Sequence, residues 1–309
     1  MTLYRGQSKT LDFEPPPTWS STDTEESLEI SKEIINLQGE EVGCILRNVL
    51  TSEECQHFIN LASDHAIEVS HATKYRNMYR IVTDSKVTSE VIYNRIRPHL
   101  KNVEVTEATK SIHQDFGGAS HGTWEPQEIN SRWRLCSYSP GGHFCPHYDG
   151  EYKIDSRTKS LQTCQLYLNG GFEGGGINFV NEVQPLQEDS EGRLCADTKN
   201  VLLSIQPEAG MAVIFNHRLM HEGEALKATA SEAKKAAKKY FMRSEIMFQN
   251  VKPTGTPLSE NDEEALRLVQ EADRLEFNDE AIEAAKLWSR AFKLSPALEA
   301  HYNQCGIVE

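Results

Sequence analysis

Residues 138–149 have the sequence YSPGGHFCPHYD, and this stretch decides how the chain is interpreted. It contains His147 and Asp149, which are two positions apart. In a β-strand, residues two apart point to the same side, so these two side chains can converge on one metal ion. A His-x-Asp pair is weak by itself, because a chain with 11 histidines has such pairs by chance. We interpret the nearby His143 as a surface residue or a neighbour of the site.

A second histidine ligand is expected from residues 215–223, FNHRLMHEG. The apolar run that precedes them predicts a strand, along which His217 and His221 are too far apart to bind one ion together. We favour His221, because the polar turn with glycine after it resembles the usual end of a ligand strand. His217 is then a hydrogen-bonded structural histidine. Two histidines and one carboxylate form a facial triad that leaves three coordination positions of Fe(II) open.

A buried cation is the next requirement, because a dicarboxylate that chelates iron at one end needs a partner for its far carboxylate. Residues 238–248, KKYFMRSEIMF, predict a strand. Lys239 and Arg243 share one face of this strand, and Lys238 points the other way. Arg243 lies deeper in the apolar run and can bind a carboxylate through two hydrogen bonds. It is therefore the first candidate and Lys239 the second.

The residues around these motifs predict many short strands. Turn-forming glycine, proline and asparagine separate apolar or aromatic runs at 133–138, 161–168, 177–180, 201–205, 211–215 and 240–248. Helices are predicted earlier, one beginning near Thr51 and one over Ser89–Arg97. Helices followed by strands indicate an α+β class with a β-barrel or sandwich as the catalytic core.

Three regions are predicted along the chain. Residues 1–38 are polar and acidic and form a flexible N-terminal arm, 39–252 form the catalytic domain, and 257–309 form a helical hairpin whose second helix stops before Pro296. The hairpin resembles a single tetratricopeptide repeat. Two roles stay open for it, packing on the catalytic core or contact with a partner.

The composition restricts partners and location. A net charge of −14 argues against nucleic acid and anionic lipid as partners, and no apolar run is long enough for a membrane helix. Seven cysteines without a CxxC pair favour reduced thiols, and no secretory signal is visible. We therefore expect a cytoplasmic or nuclear protein.

Taken together, the motifs resemble the prolyl 4-hydroxylase-like branch of the Fe(II)/2-oxoglutarate-dependent dioxygenases. The resemblance rests on four blocks in order: residues 134–149, residues 165–175, residues 215–223 and residues 239–248. It implies a double-stranded β-helix (jelly-roll) core, with the turn at Gly174-Gly175 joining two of its strands.

The same resemblance implies the site and its chemistry. His147, Asp149 and His221 would hold Fe(2+), Arg243 or Lys239 would pair with 2-oxoglutarate, and Tyr138 would hydrogen-bond it. O2 is the co-reactant, L-ascorbate is an expected auxiliary reductant, and succinate and CO2 are the by-products. The expected substrate is a prolyl residue of an intracellular protein or peptide.

The sequence departs from the family pattern at two places. The spacing from His221 to the last strand is longer than usual, which predicts an inserted surface helix from Leu226 to about Ala237. Ile177 stands where the family commonly has threonine. Two other functions stay open: a cupin-like metalloenzyme that does not use 2-oxoglutarate, and a non-catalytic adaptor on the same barrel.

Overall fold

The computed structural model describes residues 15–19, 28–65, 67–70, 74–107, 109, 116, 120–182, 185–227, 238–277 and 281–304. They belong to two compact units. The first comprises residues 1–100, 128–150 and 161–246, and the second comprises 101–127, 151–160 and 247–309. The C-terminal helices thus share a unit with two internal segments. The predicted division into arm, domain and hairpin stays a prediction.

The described residues form seventeen strands and five α-helices. The strands are β1 Ser31–Leu37, β2 Glu40–Arg47, β3 Ile67–Ser70, β4 Arg76–Asp84, β5 Val103–Val105, β6 Gly122–Ile129, β7 Arg132–Tyr138, β8 His143–His147, β9 Lys153–Asp155, β10 Thr158–Tyr167, β11 Ile177–Val180, β12 Gln187–Glu188, β13 Leu194–Cys195, β14 Val201–Ile205, β15 Ala212–Asn216, β16 His221–Gly223 and β17 Lys239–Pro253. The helices are α1 Ser52–His65, α2 Lys86–Ile96, α3 Glu260–Phe277, α4 Ala281–Leu294 and α5 Pro296–Gln304.

The first unit is built on one antiparallel sheet. Its strands are hydrogen-bonded in the order β1-β2-β15-β10-β17-β7-β4-β8-β16-β11-β14. Strand β4 pairs with β7 through residues 79–84 and with β8 through Arg76 and Asn77, so it connects two groups of strands. The sheet forms a nearly closed barrel of the jelly-roll type with flanking helices. The predicted α+β class and double-stranded β-helix core are confirmed.

Apolar side chains at alternate positions of the strands fill the interior of the barrel. Inward positions such as Met78, Cys136, Tyr167, Phe215 and Phe241 are almost fully buried and pack into one apolar cluster. Successive residues of a strand point to opposite faces, so the residues between them point out of the barrel. The inside of the barrel also carries polar residues, and these build the site.

Both predicted helices of the first unit are present. Helix α1 begins after Thr51, whose Oγ1 accepts a hydrogen bond from the Glu54 N–H while the Glu54 carboxylate accepts one from the Thr51 N–H. This reciprocal capping box stabilises a helix start. Helix α2 is capped by Ser85, whose Oγ accepts from the Thr88 N–H at 3.3 Å.

The turn at Gly174-Gly175 joins β10 to β11, as predicted. Both glycines have φ +70°, a conformation that residues with a Cβ rarely adopt. At Gly174 a Cβ would also lie 2.3 Å from the Ala225 carbonyl oxygen. Gly174 forms an isolated bridge with Leu226, so Leu226 is extended rather than helical. Of the predicted inserted helix, residues 228–237 lie outside the described residues.

The described residues of the second unit form three helices, where a hairpin of two was predicted. Helix α4 ends at Leu294, before Pro296 as predicted, but a third helix, α5, begins at Pro296. A proline is tolerated there since the first helical N–H has no partner within the helix. The Ser295 Oγ accepts a hydrogen bond from the Leu298 N–H at 3.1 Å and caps α5. Buried Ala265, Ala291 and Leu298 join the three helices in one apolar cluster.

The N-terminal strand and the hydropathy of the helices are the remaining features of the described residues. Strand β1 lies within the predicted N-terminal arm and pairs with β2, so the sheet begins before residue 38. None of the described helices has both the length and the hydropathy of a membrane span.

Candidate active site

The three predicted metal ligands meet at one point of the barrel. His147 on β8 and His221 on β16 are directly opposite each other in the antiparallel pair. Asp149 follows β8, and its two carboxylate oxygens lie 3.7 Å from the Nε2 atoms of His147 and His221, one oxygen for each histidine. The potential ligand atoms all lie within 4.8 Å of one another. Side chains far apart in sequence therefore form one compact cluster.

Hydrogen bonds orient both imidazole rings for metal binding. The Nδ1 atom of His147 lies 2.8 Å from the Cys145 carbonyl oxygen, and Nδ1 of His221 lies 2.8 Å from the Leu219 carbonyl oxygen. A carbonyl only accepts, so each Nδ1 carries the proton and donates it. The lone pair is then on Nε2, which points towards Asp149. This is the usual arrangement of a metal-binding histidine and its supporting hydrogen bond.

Asp149 is held by three further residues. Thr163 Oγ1 donates to Asp149 Oδ2 at 2.6 Å, and the Asp149 N–H donates to the His217 carbonyl at 3.0 Å. Since the Thr163 hydroxyl proton is used, His217 Nδ1 donates to Thr163 Oγ1 at 3.0 Å. The Arg243 Nη1 atom lies 2.8 Å from Asp149 Oδ1. His217 is thus a hydrogen-bonded neighbour of the cluster, as predicted.

The protonation states suit a divalent metal. Burial lowers the pKa of His147 to about 3, and the nearby His221 lowers it further. Burial also lowers the pKa of His221. Burial alone would raise the pKa of Asp149, but Arg243 and the two histidines outweigh it and lower that pKa. Neutral imidazoles and an ionised carboxylate are the forms that coordinate a metal ion, so the donor set fits Fe(II).

Lys239 lies deeper in the barrel, among aromatic rings. Its side chain is 2 % exposed, and its Nζ is 4.9, 5.3 and 5.2 Å from the ring centroids of Tyr138, Tyr167 and Phe241. Within the described part of the chain its ammonium group has no carboxylate in contact. Burial lowers the pKa of Lys239 to about 7. An unpaired buried ammonium is costly, and an anionic ligand would remove that cost.

Comparison with known proteins agrees with this geometry. Residues 133–242, which contain the three clustered ligands, match a family model described as the 2OG-Fe(II) oxygenase superfamily.

The chain contains a 2OG-Fe(II) oxygenase domain.

Named relatives of this oxygenase domain are prolyl 4-hydroxylases. The chain is 30% identical over 164 residues to prolyl 4-hydroxylase 5 of Arabidopsis thaliana, a match that covers 52% of this chain and 51% of the relative. It is 25% identical over 174 residues to probable prolyl 4-hydroxylase 10 of the same plant, covering 55% and 56%. The chain spans about half the length of the relatives it matches. These matches confirm the predicted resemblance to prolyl 4-hydroxylases.

Solved structures with a similar arrangement are more distant. A prolyl-4-hydroxylase of Pseudomonas putida aligns with a TM-score of 0.38 and 12% identity over 72% of this chain and 94% of its own. A 2OG-Fe(II) family oxidoreductase of Burkholderia pseudomallei aligns with a TM-score of 0.35 and 13% identity over 68% and 85%.

The two candidate cations have different surroundings in the structure. The guanidinium of Arg243, the first candidate for the far carboxylate of the cosubstrate, is paired with Asp149. Among the described residues Lys239 has no carboxylate partner, and its ammonium group lies over the ring of Tyr138, the predicted cosubstrate residue. Both cations share one face of β17, as predicted, but β17 brings Arg243 next to the metal cluster and Lys239 away from it.

Several residues that line the pocket of the oxygenase domain were not identified from the sequence. They are Arg76 and Arg80 on β4, Phe144 on β8, and Gln165 on β10. Thr163, which orients Asp149, was missed as well. A signal existed in residues 75–80, YRNMYR, where two arginines flank a buried methionine at alternate positions. In a strand this spacing places both arginines on the inner face beside Met78.

Proposed function

We propose that this chain is an Fe(II)- and 2-oxoglutarate-dependent dioxygenase that hydroxylates its substrate. The observation that carries the proposal is the convergence of His147, His221 and Asp149, with the Nε2 atoms of both histidines available to a metal, in a pocket that is also lined by the buried Lys239. Fe(II) bound by the triad would supply the activation of O2 that couples conversion of 2-oxoglutarate to succinate and CO2 with insertion of one oxygen atom into a substrate C–H bond.

Each nearby residue has a proposed task. Lys239 binds the far carboxylate of 2-oxoglutarate as an ammonium group, and the Tyr138 hydroxyl, which lines the same pocket, donates a hydrogen bond to it. Burial raises the pKa of Tyr138, so this hydroxyl keeps its proton at neutral pH. Arg243 and Thr163 hold the two Asp149 oxygens in place, and an oriented ligand binds a metal more tightly than a mobile one.

The proposed substrate is a prolyl residue of a protein or peptide. The support is the likeness to proteins named prolyl 4-hydroxylase. We further propose a cytoplasmic or nuclear location and L-ascorbate as the auxiliary reductant. None of the six cysteines that the structure describes forms a disulfide, which agrees with a reducing compartment.

The test is formation of succinate from 2-oxoglutarate with added Fe(II). His147→Ala, Asp149→Ala and His221→Ala should each abolish it, because each removes one of three metal ligands. His143→Gln is the matched control: this buried histidine of β8 lies four residues before His147 and is not in the triad. Succinate formation by all three alanine variants at the wild-type rate would reject the triad as the metal site, whereas a wild-type protein that forms no succinate would favour an adaptor role.

A second measurement separates the cupin-like alternative. Binding of 2-oxoglutarate is titrated under anaerobic conditions with and without Fe(II). Binding that requires Fe(II) and Lys239 supports the proposed function. A chain that binds Fe(II) through the triad and does not bind 2-oxoglutarate would be a metalloenzyme of another kind.

A further inference from the structure

The inner face of three neighbouring strands carries five cationic side chains. They are Arg76 and Arg80 on β4, Arg134 on β7, and Lys239 and Arg243 on β17, and all five line one pocket. The strand register places them together, since Arg134 is opposite Arg243 across β7 and β17, and Arg80 is opposite Cys136 across β4 and β7. The whole chain has a net charge of −14, so this concentration of positive charge is local.

Two of these five cations form ion pairs in the structure, and a third has a proposed ligand. Arg134 is paired with Glu245, and Arg243 is paired with Asp149. Lys239 is the proposed partner of the far carboxylate of 2-oxoglutarate. Within the described residues, neither Arg76 nor Arg80 forms an ion pair or hydrogen bond through its guanidinium.

The surroundings of Arg76 and Arg80 make the lack of an anionic partner energetically unfavourable. Burial lowers the pKa of Arg76 to about 10, and the positive charge of Arg80 lowers it further. Burial and the arginines at 134 and 243 also lower the pKa of Arg80. The Nε atom of Arg76 is buried and has no hydrogen-bond partner in the part of the chain that is described. Two half-buried cations that line one pocket without an anion destabilise the fold.

Arg76 is also close to the reacting centre. Its guanidinium lies 4.8 Å from the centroid of the Phe144 ring, and that ring stacks on the His147 imidazole at 3.6 Å with an interplanar angle of 16°. One aromatic ring therefore separates the arginine from a proposed metal ligand. A group bound by Arg76 and Arg80 would lie beside the position of the oxidised carbon.

We propose that Arg76 and Arg80 bind an anionic group of the substrate, a carboxylate or a phosphate, next to the residue that is hydroxylated. Arginine binds such planar or tetrahedral oxyanions through paired N–H donors. The proposal rests on the proposed function and narrows its substrate to an acidic peptide, in which a negatively charged residue flanks the target. The acidic surface of the chain would disfavour such a peptide everywhere except at this pocket.

The first test measures anion binding with the cosubstrate site filled. Inorganic phosphate and acetate are titrated calorimetrically into the full chain loaded with Zn(II) and 2-oxoglutarate. Arg76→Gln and Arg80→Gln should each weaken binding of the preferred anion about tenfold, the loss of one charge-assisted hydrogen-bonding group. Preference for phosphate or for acetate identifies the anionic group. Arg97→Gln, on the exposed end of α2, is the control and should change nothing.

Two results would overturn the proposal. One is equal anion binding by the wild type and the double Arg76→Gln, Arg80→Gln variant. The other is a loss of 2-oxoglutarate affinity in these variants that accounts for the whole effect, which would assign the arginines to the cosubstrate. Each arginine-to-glutamine change removes one of several like charges, so the melting temperature of these variants should be unchanged or higher. A lower melting temperature would identify a folding defect. If Zn(II) and 2-oxoglutarate do not bind, the proposed function fails, while the same titration on metal-free protein still tests the arginines.

The second test uses two short peptides that differ only in one residue beside proline, Glu in one and Gln in the other. The wild type should form succinate at least about tenfold more efficiently with the Glu peptide, and in the double variant the ratio of the two efficiencies should fall to about one. Equal use of the two peptides by the wild type, with succinate formed, would contradict the acidic-peptide assignment and leave the oxygenase function intact.

Discussion

At the scale of single residues, Lys239 and Lys238 provide a sharp comparison. Lys239 lies among the aromatic rings inside the barrel, whereas the Nζ atom of Lys238, the residue before β17, lies 5.7 Å from the centroid of the Tyr79 ring. Lys239→Met should raise the Kd for 2-oxoglutarate about 30-fold or more, because the charge-assisted hydrogen bond to the carboxylate is lost. The methionine side chain is apolar and still packs in the pocket. Lys238→Met should bind as the wild type does. Equal affinities for all three proteins would remove Lys239 from the cosubstrate site.

The pH dependence of cosubstrate binding follows from the same lysine. The pKa of Lys239 is lowered to about 7 by burial, against which Cys136 and Glu224 raise it. Lysine is charged below its pKa, so 2-oxoglutarate affinity should be full below about pH 7 and fall roughly tenfold per pH unit above it. Titrations at saturating metal measure this slope. The arginine of Lys239→Arg stays charged over this pH range, so affinity in that variant should not depend on pH. An unchanged slope in Lys239→Arg would assign the pH dependence to another group.

Thr163 is predicted to act through Asp149. Thr163→Val keeps the side-chain shape but removes the hydroxyl that donates to Asp149 Oδ2 at 2.6 Å. A freed ligand carboxylate should weaken metal affinity about 10- to 100-fold. Competition with a metal-sensitive dye measures the affinity. Thr158→Val, at the start of the same strand, is the control, and metal affinities that agree between the two variants would show that the hydroxyl does not position the ligand.

At the scale of elements, the contact of β2 with β15 depends on a residue without a side chain. A Cβ at Gly43 would lie 2.1 Å from the Ile214 carbonyl oxygen, which belongs to the backbone and has no freedom to rotate away. Gly43→Ala should therefore lower the free energy of unfolding by about 1–3 kcal/mol. Urea denaturation measures it. Gly150→Ala, where a Cβ would meet nothing within 4 Å, should be close to neutral.

Element boundaries could be predicted where local chemistry decides them. The Thr51 capping box and the apolar runs at 177–180 and 201–205 locate α1, β11 and β14 closely. The apolar runs used to predict strands do not include β8 and β16, because three to five residues with polar side chains have no clear alternation. Helix α5 was missed because a proline was taken as a helix end, although it also suits a helix start.

At the scale of the whole molecule, metal binding should be coupled to stability. The triad joins β8 to β16, and the unfolded chain does not bring these residues together. Zn(II) at about 100 times its Kd should raise the free energy of unfolding by about 2.7 kcal/mol. The melting temperature with and without Zn(II) reports this. His221→Ala should lose the stabilisation and His143→Gln should keep it; an equal rise in both would indicate binding elsewhere.

The distribution of charge is also a property of the whole molecule. The net charge of the chain is −14, yet the pocket of the oxygenase domain is lined by five cationic side chains and by the carboxylate of Glu222. Net charge describes solubility and long-range attraction, whereas a pocket is governed by the few groups that line it. The anionic substrate group that we propose follows from the cationic side chains that line the pocket, not from the net charge.

Sequence alone determined the residue types of the site and the face that each occupies. The two-residue spacing of His147 and Asp149 predicted that both side chains point the same way, and the four-residue spacing of Lys239 and Arg243 placed that pair on one side of β17, because side chains alternate along extended backbone. The glycines at 174 and 175 likewise indicated the turn that only they adopt readily.

Only the tertiary structure decided which of these faces meet. Strand order places Arg243 beside Asp149 and leaves Lys239 free of a carboxylate, and it brings Arg76 and Arg80 from β4 into the same pocket. Periodicity along a strand carries no information about its neighbour in the sheet. That choice is made by packing and hydrogen bonding between segments distant in sequence, and it determines the partner of every charge in the barrel.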